Sequence, residues 1–243
     1  MSTIHHLSAR GLCKAYRSKQ VVLNVDIDVY SGECIGLLGP NGAGKTTSFY
    51  MVSGLIRADQ GEVSLDDLDI TEQPMHLRAR SGIGYLPQEA SIFRKLSVRD
   101  NLLAIFETLN LPSAQVEEEL EALLVDLGIE AVQHQKAYTL SGGQRRRTEI
   151  ARALVTKPKF LLLDEPFAGV DPIAVEDIQA IIAELRSKGI GILITDHNVR
   201  DTLSICDRAY LMSAGEIIVN GTPDKIITHP DARRLYLGES FSM

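Results

Sequence analysis

The chain has 243 residues, a formal net charge of −7, 44% hydrophobic and 23% charged residues. This balance is typical of a globular protein with one large domain or two small ones, and the negative charge disfavours nucleic acid as a main partner. The N-terminus lacks a signal peptide's apolar core, and no run approaches the roughly 18 apolar residues of a membrane span, so contact with a membrane would require a partner. Cys13, Cys34 and Cys206 are widely spaced, which favours a reducing compartment over a disulfide framework or a zinc site.

The first part of the chain predicts strands and one helix. Residues 7–29 indicate two strands around a polar turn at 17–20, with Tyr16 near the end of the first strand. Short apolar runs at 34–38, 63–65 and 82–86 predict further strands, and residues 46–55 predict a helix. Gln88 follows the strand at 82–86, where its amide could reach a metal or a water molecule.

The run GPNGAGKTT lies between the strand at 34–38 and the helix at 46–55 and matches the phosphate-loop motif. Gly39, Gly42 and Gly44 allow the backbone to turn its N–H groups toward a phosphate, and the next helix presents its positive end there. Lys45 supplies a charge for the β and γ phosphates, and Thr46 supplies a hydroxyl for Mg²⁺. The predicted nucleotide-binding residues of this loop are Gly39, Pro40, Asn41, Gly42, Ala43, Gly44, Lys45, Thr46 and Thr47.

Residues 89–157 change to helical periodicity, and we interpret them as an α-helical subdomain inserted into an α/β core. Ser97 begins a predicted helix through 109, Ser113 follows Pro112 into a second through 127, and Ser141 caps a third at 142–155. The basic triplet at 145–147 predicts a solvated helix face. Ser141, Gly142 and Gly143 also form a candidate second anion site, because small residues leave the N–H groups of a helix start free.

The α/β pattern resumes after residue 157. Residues 160–163 and 190–195 predict strands buried on both faces, and Asp171 caps a predicted helix that runs to 188. Residues 208–212 and 217–219 predict a hairpin, and the chain after 223 predicts a short helical tail. Ligands bind at the carboxyl ends of parallel strands. There we expect Asp164 to hold Mg²⁺ through water, Glu165 to polarise an attacking water, and His197 to contact a γ-phosphate.

The order of these motifs resembles the ATPase domain of ABC transporters over essentially the whole chain. LSGGQ at 140–144 and FLLLDEP at 160–166 are its most specific elements beside the phosphate loop. The resemblance implies an α/β fold: a P-loop NTPase core with an antiparallel β subdomain at 1–88 and 158–243, and the inserted α-helical subdomain at 89–157. It also implies Mg²⁺-dependent ATP hydrolysis, with Lys45, Glu165 and His197 at the reacting phosphate and Thr46, Gln88 and Asp164 at the metal.

The same resemblance implies a homodimer. Each ATP would lie between the phosphate loop of one subunit and Ser141, Gly142 and Gly143 of the other. Tyr16 would stack on adenine, and Gln88 would sense both Mg²⁺ and a transmembrane partner. Asp171 would lie in the loop between the two sites.

A narrower resemblance is to the ATPases of lipopolysaccharide exporters of Gram-negative bacteria. It rests on YLPQEASIFRKLSV at 85–98, LLDEPFAGVDPIAV at 162–175, LITDHNVRDTL at 193–203 and YLGESF at 236–241. It implies a cytoplasmic protein on the inner membrane, bound to two transmembrane permease subunits that dock near Gln88 in a groove lined by Phe93 and Arg94. ATP hydrolysis would drive lipopolysaccharide out of that membrane toward the outer membrane.

Two alternatives remain open from the sequence. The ATPase of a branched-chain amino acid importer would have nearly the same motifs, and only residues 92–98 and the tail argue against it. A soluble ABC ATPase acting on ribosomes or in DNA repair usually has two ATPase units or a long coiled-coil insertion, and this acidic chain has neither. A small-molecule kinase or GTPase would share the phosphate loop but not LSGGQ, Glu165 and His197 together.

Overall fold

Strands and helices alternate along most of the computed structural model, which describes residues 4–238 and 241. The strands are β1 His6–Tyr16, β2 Lys19–Tyr30, β3 Cys34–Leu38, β4 Gln60–Leu65, β5 Leu68–Asp69, β6 Ile83–Leu86, β7 Phe160–Asp164, β8 Gly191–Thr195, β9 Arg208–Ser213 and β10 Glu216–Gly221. The helices are α1 Lys45–Ser53, α2 Met75–Ser81, α3 Val98–Phe106, α4 Ser113–Asp126, α5 Gly142–Leu154, α6 Pro172–Ser187, α7 Val199–Ile205, α8 Pro223–Thr228 and α9 Pro230–Ala232, followed by a π-helical turn Arg233–Leu237.

The strands form two sheets. One is antiparallel with the order β2-β1-β4-β5, and the other has the order β10-β9-β3-β8-β7-β6. The second sheet is parallel from β9 to β6, and β10 pairs antiparallel at its edge. The parallel pairings place the carboxyl ends of β3, β6, β7 and β8 on one edge, which is where ligands bind in such sheets.

The central strands β3, β7 and β8 are buried along their whole length. Alternate side chains of β7 belong to two different cores. Phe160 and Leu162 pack with the apolar side of the antiparallel sheet and α1, whereas Leu161 and Leu163 pack with helices α3 to α6. This double burial explains the unbroken apolar run in the sequence, and it holds the strand end at Asp164 between the two layers.

The fold class predicted from the sequence is confirmed, with an antiparallel sheet, a parallel sheet and helices between residues 98 and 154. The capping predictions at Ser97, Ser141 and Asp171 are also confirmed. Ser97 and Ser141 each form a reciprocal capping box, and the Asp171 carboxylate accepts a hydrogen bond from the Ala174 N–H at 3.0 Å.

Helix α2 was not predicted from the sequence, because its seven residues are too few to establish a helical period. Arg78 of this helix is buried, with 2% exposure, and links α2 to the rest of the fold. The Arg78 guanidinium donates to the carbonyl oxygens of Met51 and Val52 at 2.8 and 2.7 Å, and so satisfies the last turn of α1. Burial lowers the pKa of Arg78 to about 10.

The basic triplet is a second correction, because the prediction of a solvated face is wrong for its middle residue. Arg145 is exposed and Arg147 is half-buried, but Arg146 is 6% exposed. The triplet begins a helix packed between α3, α6 and β6, so its side chains point successively around the helix and one must enter the core.

The tail is helical in its described part, with α8, α9 and the π-helical turn packed on β9, β10 and α7. In the segment at 236–241 that contributed to the resemblance, residues 239 and 240 lie outside the described residues. In the described part of the chain, no helix has the length and apolar character needed to cross a membrane.

Candidate active site

The phosphate loop wraps around the carboxyl end of β3 and leads into α1. Gly39 has φ 145°, and a Cβ there would lie 2.2 Å from the carbonyl oxygen of Met212. Gly44 has φ 102°, and its Cβ would lie 2.6 Å from the carbonyl oxygen of Val21. Both positions therefore require glycine for two reasons, conformation and space. The sequence motif fixes this loop geometry, and the neighbouring strands hold it in place.

Lys45 begins α1 and is 8% exposed. Its ammonium donates to the carbonyl oxygens of Gly39 at 2.6 Å and Pro40 at 3.1 Å, which places the charge over the loop. Burial lowers the pKa of Lys45, and the negative charges of Glu165 and Asp196 oppose this effect. The lysine therefore lies close to the acidic strand ends that the sequence predicted.

A pocket of about 160 Å³ follows the loop. Its lining residues are Val21, Asn41, Gly42, Ala43, Gly44, Lys45, Thr46, Thr47 and Glu165. The structure thus brings a carboxylate from the end of β7 to the phosphate loop. Glu165 has φ 44°, a left-handed conformation that is unfavourable for a residue with a side chain.

Three of the predicted site residues meet at one carboxylate oxygen. Gln88 Nε2 donates to Glu165 Oε2 at 2.7 Å, and His197 Nδ1 lies 3.3 Å from the same atom. The Glu165 backbone N–H donates to the Thr195 carbonyl at 2.7 Å, which joins the ends of β7 and β8. The His197 side chain is largely exposed, so it approaches the Glu165 carboxylate from the solvent side without being among the residues that line the pocket.

Asp164 lies at the end of β7 and is 2% exposed. The hydroxyl groups of Tyr50 and Tyr85 face its carboxylate, with Tyr85 at 3.5 Å. Burial raises the pKa of Asp164, and the two hydroxyls and the charge of Arg146 offset this only in part. The sequence analysis missed both tyrosines, because their sequence positions contain no sign that they converge on one carboxylate.

Asp196 is a second site residue that the sequence analysis left without a role. It is fully buried, and its carboxylate accepts hydrogen bonds from the backbone N–H groups of Asn198 at 2.8 Å and Phe167 at 3.2 Å. Burial raises its pKa, while these two hydrogen bonds lower it. Asp196 therefore holds the segments that follow Glu165 and His197. The sequence signal that could have revealed Asp196 is its position directly after a fully buried strand.

The turn at Ser141, Gly142 and Gly143 lies apart from the phosphate-loop pocket. Ser141 is exposed, and its Oγ accepts from the Gln144 N–H at 3.2 Å. A Cβ at Gly142 would meet no atom of the described chain within 4 Å. Gly142 instead lines, with Gln88 and residues 168–170, a separate cavity of about 50 Å³. None of Ser141, Gly142 and Gly143 is among the residues that line the phosphate pocket.

The remaining predicted residues lie at the surface. Tyr16 ends β1 with 49% exposure, and the Lys14 ammonium lies 5.8 Å from its ring centroid. Phe93 is 48% exposed, and the Arg152 guanidinium lies 4.6 Å from its ring centroid. Arg94 is exposed beside it. Tyr16 is not among the residues that line the pocket, so its proposed contact with adenine would be made outside it.

Comparison with known proteins identifies the family. The chain matches the ABC transporter family over residues 22–168. It is 57% identical over 237 residues to a probable ABC transporter ATP-binding protein of Azorhizobium caulinodans, covering 98% of this chain and 84% of that protein. It is 55% identical over 238 residues to the lipopolysaccharide export system ATP-binding protein LptB of Escherichia coli K12, covering 98% and 99%.

A solved structure agrees with both matches. The ADP conformation of an ATP-binding cassette of an ABC transporter superposes with a TM-score of 0.87 at 31% identity, covering 98% of this chain and 100% of that one. The matched region begins in β2 and contains the phosphate loop, the LSGGQ turn and Glu165. The chain belongs to the ABC transporter family of ATP-binding proteins.

Proposed function

We propose that this protein is the ATP-hydrolysing subunit of a lipopolysaccharide exporter, and that it works as a homodimer beneath two permease subunits. The observation that carries the proposal is the similarity along nearly the whole chain to proteins that are named for lipopolysaccharide export, at 54–55% identity. The matched length covers 98% of the chain and so extends beyond the residues that line the nucleotide pocket.

The phosphate loop would bind the triphosphate with the backbone N–H groups of residues 39–47, apart from Pro40, which has none, and with the positive end of α1. Lys45 would move its ammonium from the loop carbonyls to the β and γ phosphates, a short displacement because it already lies over the loop. Glu165 would orient and deprotonate the attacking water, held by Gln88 on one side and His197 on the other. Catalysis would consist mainly of positioning and charge stabilisation.

The residues also fit a bound Mg²⁺. A hard cation prefers oxygen ligands, and this edge of the sheet offers the Thr46 hydroxyl, the Gln88 amide oxygen and the Asp164 carboxylate. Burial raises the pKa of Asp164, so a nearby cation would favour its charged form. When bound, Mg²⁺ supplies neutralisation of the charge on the phosphate oxygens.

The turn at 141–143 supports a dimer. Its N–H groups and the positive end of α5 suit an anion, yet the pocket of the same chain is lined by other residues. In a head-to-tail dimer, this turn would complete the phosphate pocket of the partner subunit, as the sequence motif implies. Each subunit then supplies half of two ATP sites.

Docking to the membrane subunits would use the segment next to Gln88. Asn101 hydrogen-bonds the backbone of Phe93 in both directions, with Phe93 N to Asn101 Oδ1 at 2.8 Å and Asn101 Nδ2 to Phe93 O at 3.1 Å. The backbone of this segment is thus fixed while the Phe93 ring is exposed, which suits an apolar anchor for a short partner helix. We propose that the partners resemble the permeases LptF and LptG, and that binding to them holds the protein on the cytoplasmic face of the inner membrane.

The experiment is recovery of the tagged protein from its native membranes in mild detergent, with identification of the chains that co-purify. Two related multi-span proteins with a periplasmic domain would support lipopolysaccharide export. Amino acid permease subunits would replace it with import, and recovery only from the soluble fraction would contradict a transport function. Phe93→Ala should reduce recovery of the membrane subunits while ATP binding is retained, and Tyr30→Ala, which removes an exposed aromatic ring in the antiparallel sheet, is the matched control.

A further inference from the structure

The C-terminal π-helical turn Arg233–Leu237 packs against the segments that lead into the nucleotide site. Tyr236 and Leu237 lie on an apolar cluster that contains Leu38 of β3 and Leu203 of α7. Leu38 directly precedes Gly39, the first glycine of the phosphate loop, and α7 follows His197. The π-helical turn that carries Tyr236 therefore contacts both segments that lead into the site, and such turns occur frequently at functional sites.

The Tyr236 hydroxyl is buried, and it makes no hydrogen bond of normal geometry with any residue among 4–238 and 241. Burial raises its pKa; the backbone N–H of Gly39 lowers it, and the charge of Asp196 raises it further. Tyr236 packs on the cluster that contains Leu38, the residue before Gly39, so its hydroxyl lies near the peptide group that joins Leu38 to Gly39. A buried hydroxyl without a partner has a cost in free energy, so its retention needs a reason other than folding.

The Gly39 peptide connects this hydroxyl to the charge in the site. Its carbonyl oxygen accepts from Lys45 at 2.6 Å, and a Cβ at this position would lie 2.2 Å from the Met212 carbonyl oxygen. The Gly39 N–H belongs to the peptide group that joins Leu38 to Gly39, whereas the Gly39 carbonyl belongs to the peptide group that joins Gly39 to Pro40. A small rotation of the first group would bring the N–H onto the Tyr236 oxygen. Because the two groups share the Gly39 Cα, support of the first restricts the second, whose carbonyl accepts from the phosphate-binding lysine.

The tail itself is held in place by further contacts. Arg233 Nε donates to the Ile227 carbonyl at 2.9 Å, and the Gly238 N–H donates to the Arg233 carbonyl at 2.8 Å. The Arg200 guanidinium of α7 lies 5.5 Å from the Phe241 ring centroid. These contacts hold the π-helical turn in a fixed position.

We propose that Tyr236 is a positioning residue for ATP binding, whose hydroxyl supports the Gly39 peptide when the phosphate loop holds the triphosphate. This rests on the proposed binding of ATP at residues 39–47. The hydroxyl touches no reacting atom, so it acts through Gly39 on the placement of Lys45. Its effect should therefore be on nucleotide affinity more than on the rate of hydrolysis.

The test is Tyr236→Phe, which removes only the hydroxyl, in the full chain. We expect the KM for ATP and the dissociation constant of a fluorescent ATP analogue to rise about 3- to 10-fold, the effect of one hydrogen bond. The kcat should stay within about two-fold, and the melting temperature should be unchanged or higher, because a buried unpaired hydroxyl has been removed. Tyr30→Phe, at a tyrosine stacked on His6 in the antiparallel sheet, is the matched control and should leave all values unchanged.

An unchanged KM and an unchanged dissociation constant in Tyr236→Phe would overturn the proposal. So would a fall in kcat that accompanies a lower melting temperature, because that pattern indicates a structural role. Failure of the phosphate-loop assignment would be seen separately, as full nucleotide affinity in Lys45→Ala.

Discussion

Two turns with glycines begin helices at the centre of this molecule, and their surroundings are opposite. The phosphate loop is enclosed at two of its three glycines: Cβ atoms at Gly39 and Gly44 would collide with backbone carbonyls, whereas Gly42 has free space, and Glu165 borders the pocket. The turn at 141–143 is open: Ser141 is exposed, and Gly142 has free space around the position of a Cβ within the described chain. Ser141, Gly142 and Gly143 are not among the residues that line the phosphate-loop pocket.

The two helix starts also differ in how their N–H groups are satisfied. Among the described residues no side chain caps α1, whose preceding residue is Gly44 in a left-handed conformation. Helix α5 is capped by Ser141 in a reciprocal box with Gln144. An uncapped start leaves N–H groups for a ligand, while a capped start is stable without one. The comparison indicates that the phosphate loop has free N–H groups for an anion, and that the second turn keeps its shape without a ligand, as the proposed contact with a partner subunit requires.

Lys45→Ala should have the largest effect and would test the enclosed site. Loss of the ammonium removes the positive charge over the loop, and we expect steady-state hydrolysis to fall by roughly 10³-fold or more, since charge stabilisation dominates phosphoryl transfer. The measurement is phosphate release at saturating ATP. Lys188→Ala, which removes a surface ion pair with Asp126 and Glu184, is the control. Full activity of Lys45→Ala would contradict the assignment of the pocket.

Glu165→Gln should separate binding from hydrolysis and so sharpen the contrast between the two turns. The amide keeps the size of the side chain but cannot accept a proton, and we expect hydrolysis to fall by roughly 10²- to 10³-fold while ATP binding remains. If the open turn completes a partner's site, the bound ATP should trap a dimer. Size-exclusion chromatography with ATP and Mg²⁺ measures this, and a monomer would contradict the shared site.

The sequence predicted the enclosed turn better than its surroundings. Residues 39–47, Asp164, Glu165 and His197 lie in local patterns, each a polar element after a buried strand, so spacing alone located them. Tyr50, Tyr85 and Asp196 lie near the same carboxylates because helix α1 and strands β6 and β8, which are distant in sequence, pack around β7, and no local pattern records this. The burial of Arg146 was missed for the same reason: its carbonyl partner, Pro87, is 59 residues away in sequence.

Paired glycine substitutions compare the two turns directly. In Gly39→Ala the new Cβ would lie 2.2 Å from the Met212 oxygen at φ 145°, and strain with overpacking should lower the free energy of unfolding by about 2–5 kcal/mol. Gly142→Ala should change it by less than about 0.5 kcal/mol. Urea unfolding gives both values.

The ATP binding and ATPase activity of Gly39→Ala and Gly142→Ala complete the comparison of the two turns. Gly39→Ala should lose ATP binding by the isolated subunit. Gly142→Ala should bind ATP normally, yet hydrolyse it roughly 10-fold more slowly, because its Cβ would occupy the surface that meets the partner's nucleotide. Equal stability loss in both variants would remove the distinction between an enclosed and an open turn.

The smallest expected effect is on stability, from Asp164→Asn, and it tests whether the enclosed site is electrostatically strained. Burial raises the pKa of Asp164 in the folded chain above its unfolded value, so the folded state binds this proton more tightly. The stability gained from that proton is fully present below the unfolded pKa and is lost as the pH rises through the folded pKa. The amide has no such loss, and we expect it to raise the melting temperature by a few degrees at pH 7 and by progressively less toward acid pH, although hydrolysis falls.

The control is Asp171→Asn. It should leave the melting temperature unchanged at pH 7 and at acid pH, because asparagine caps a helix as well as aspartate does. A lower melting temperature for Asp164→Asn at pH 7 would mean that the hydroxyls of Tyr50 and Tyr85 compensate the buried charge in full, and that the enclosed turn is no more strained than the open one.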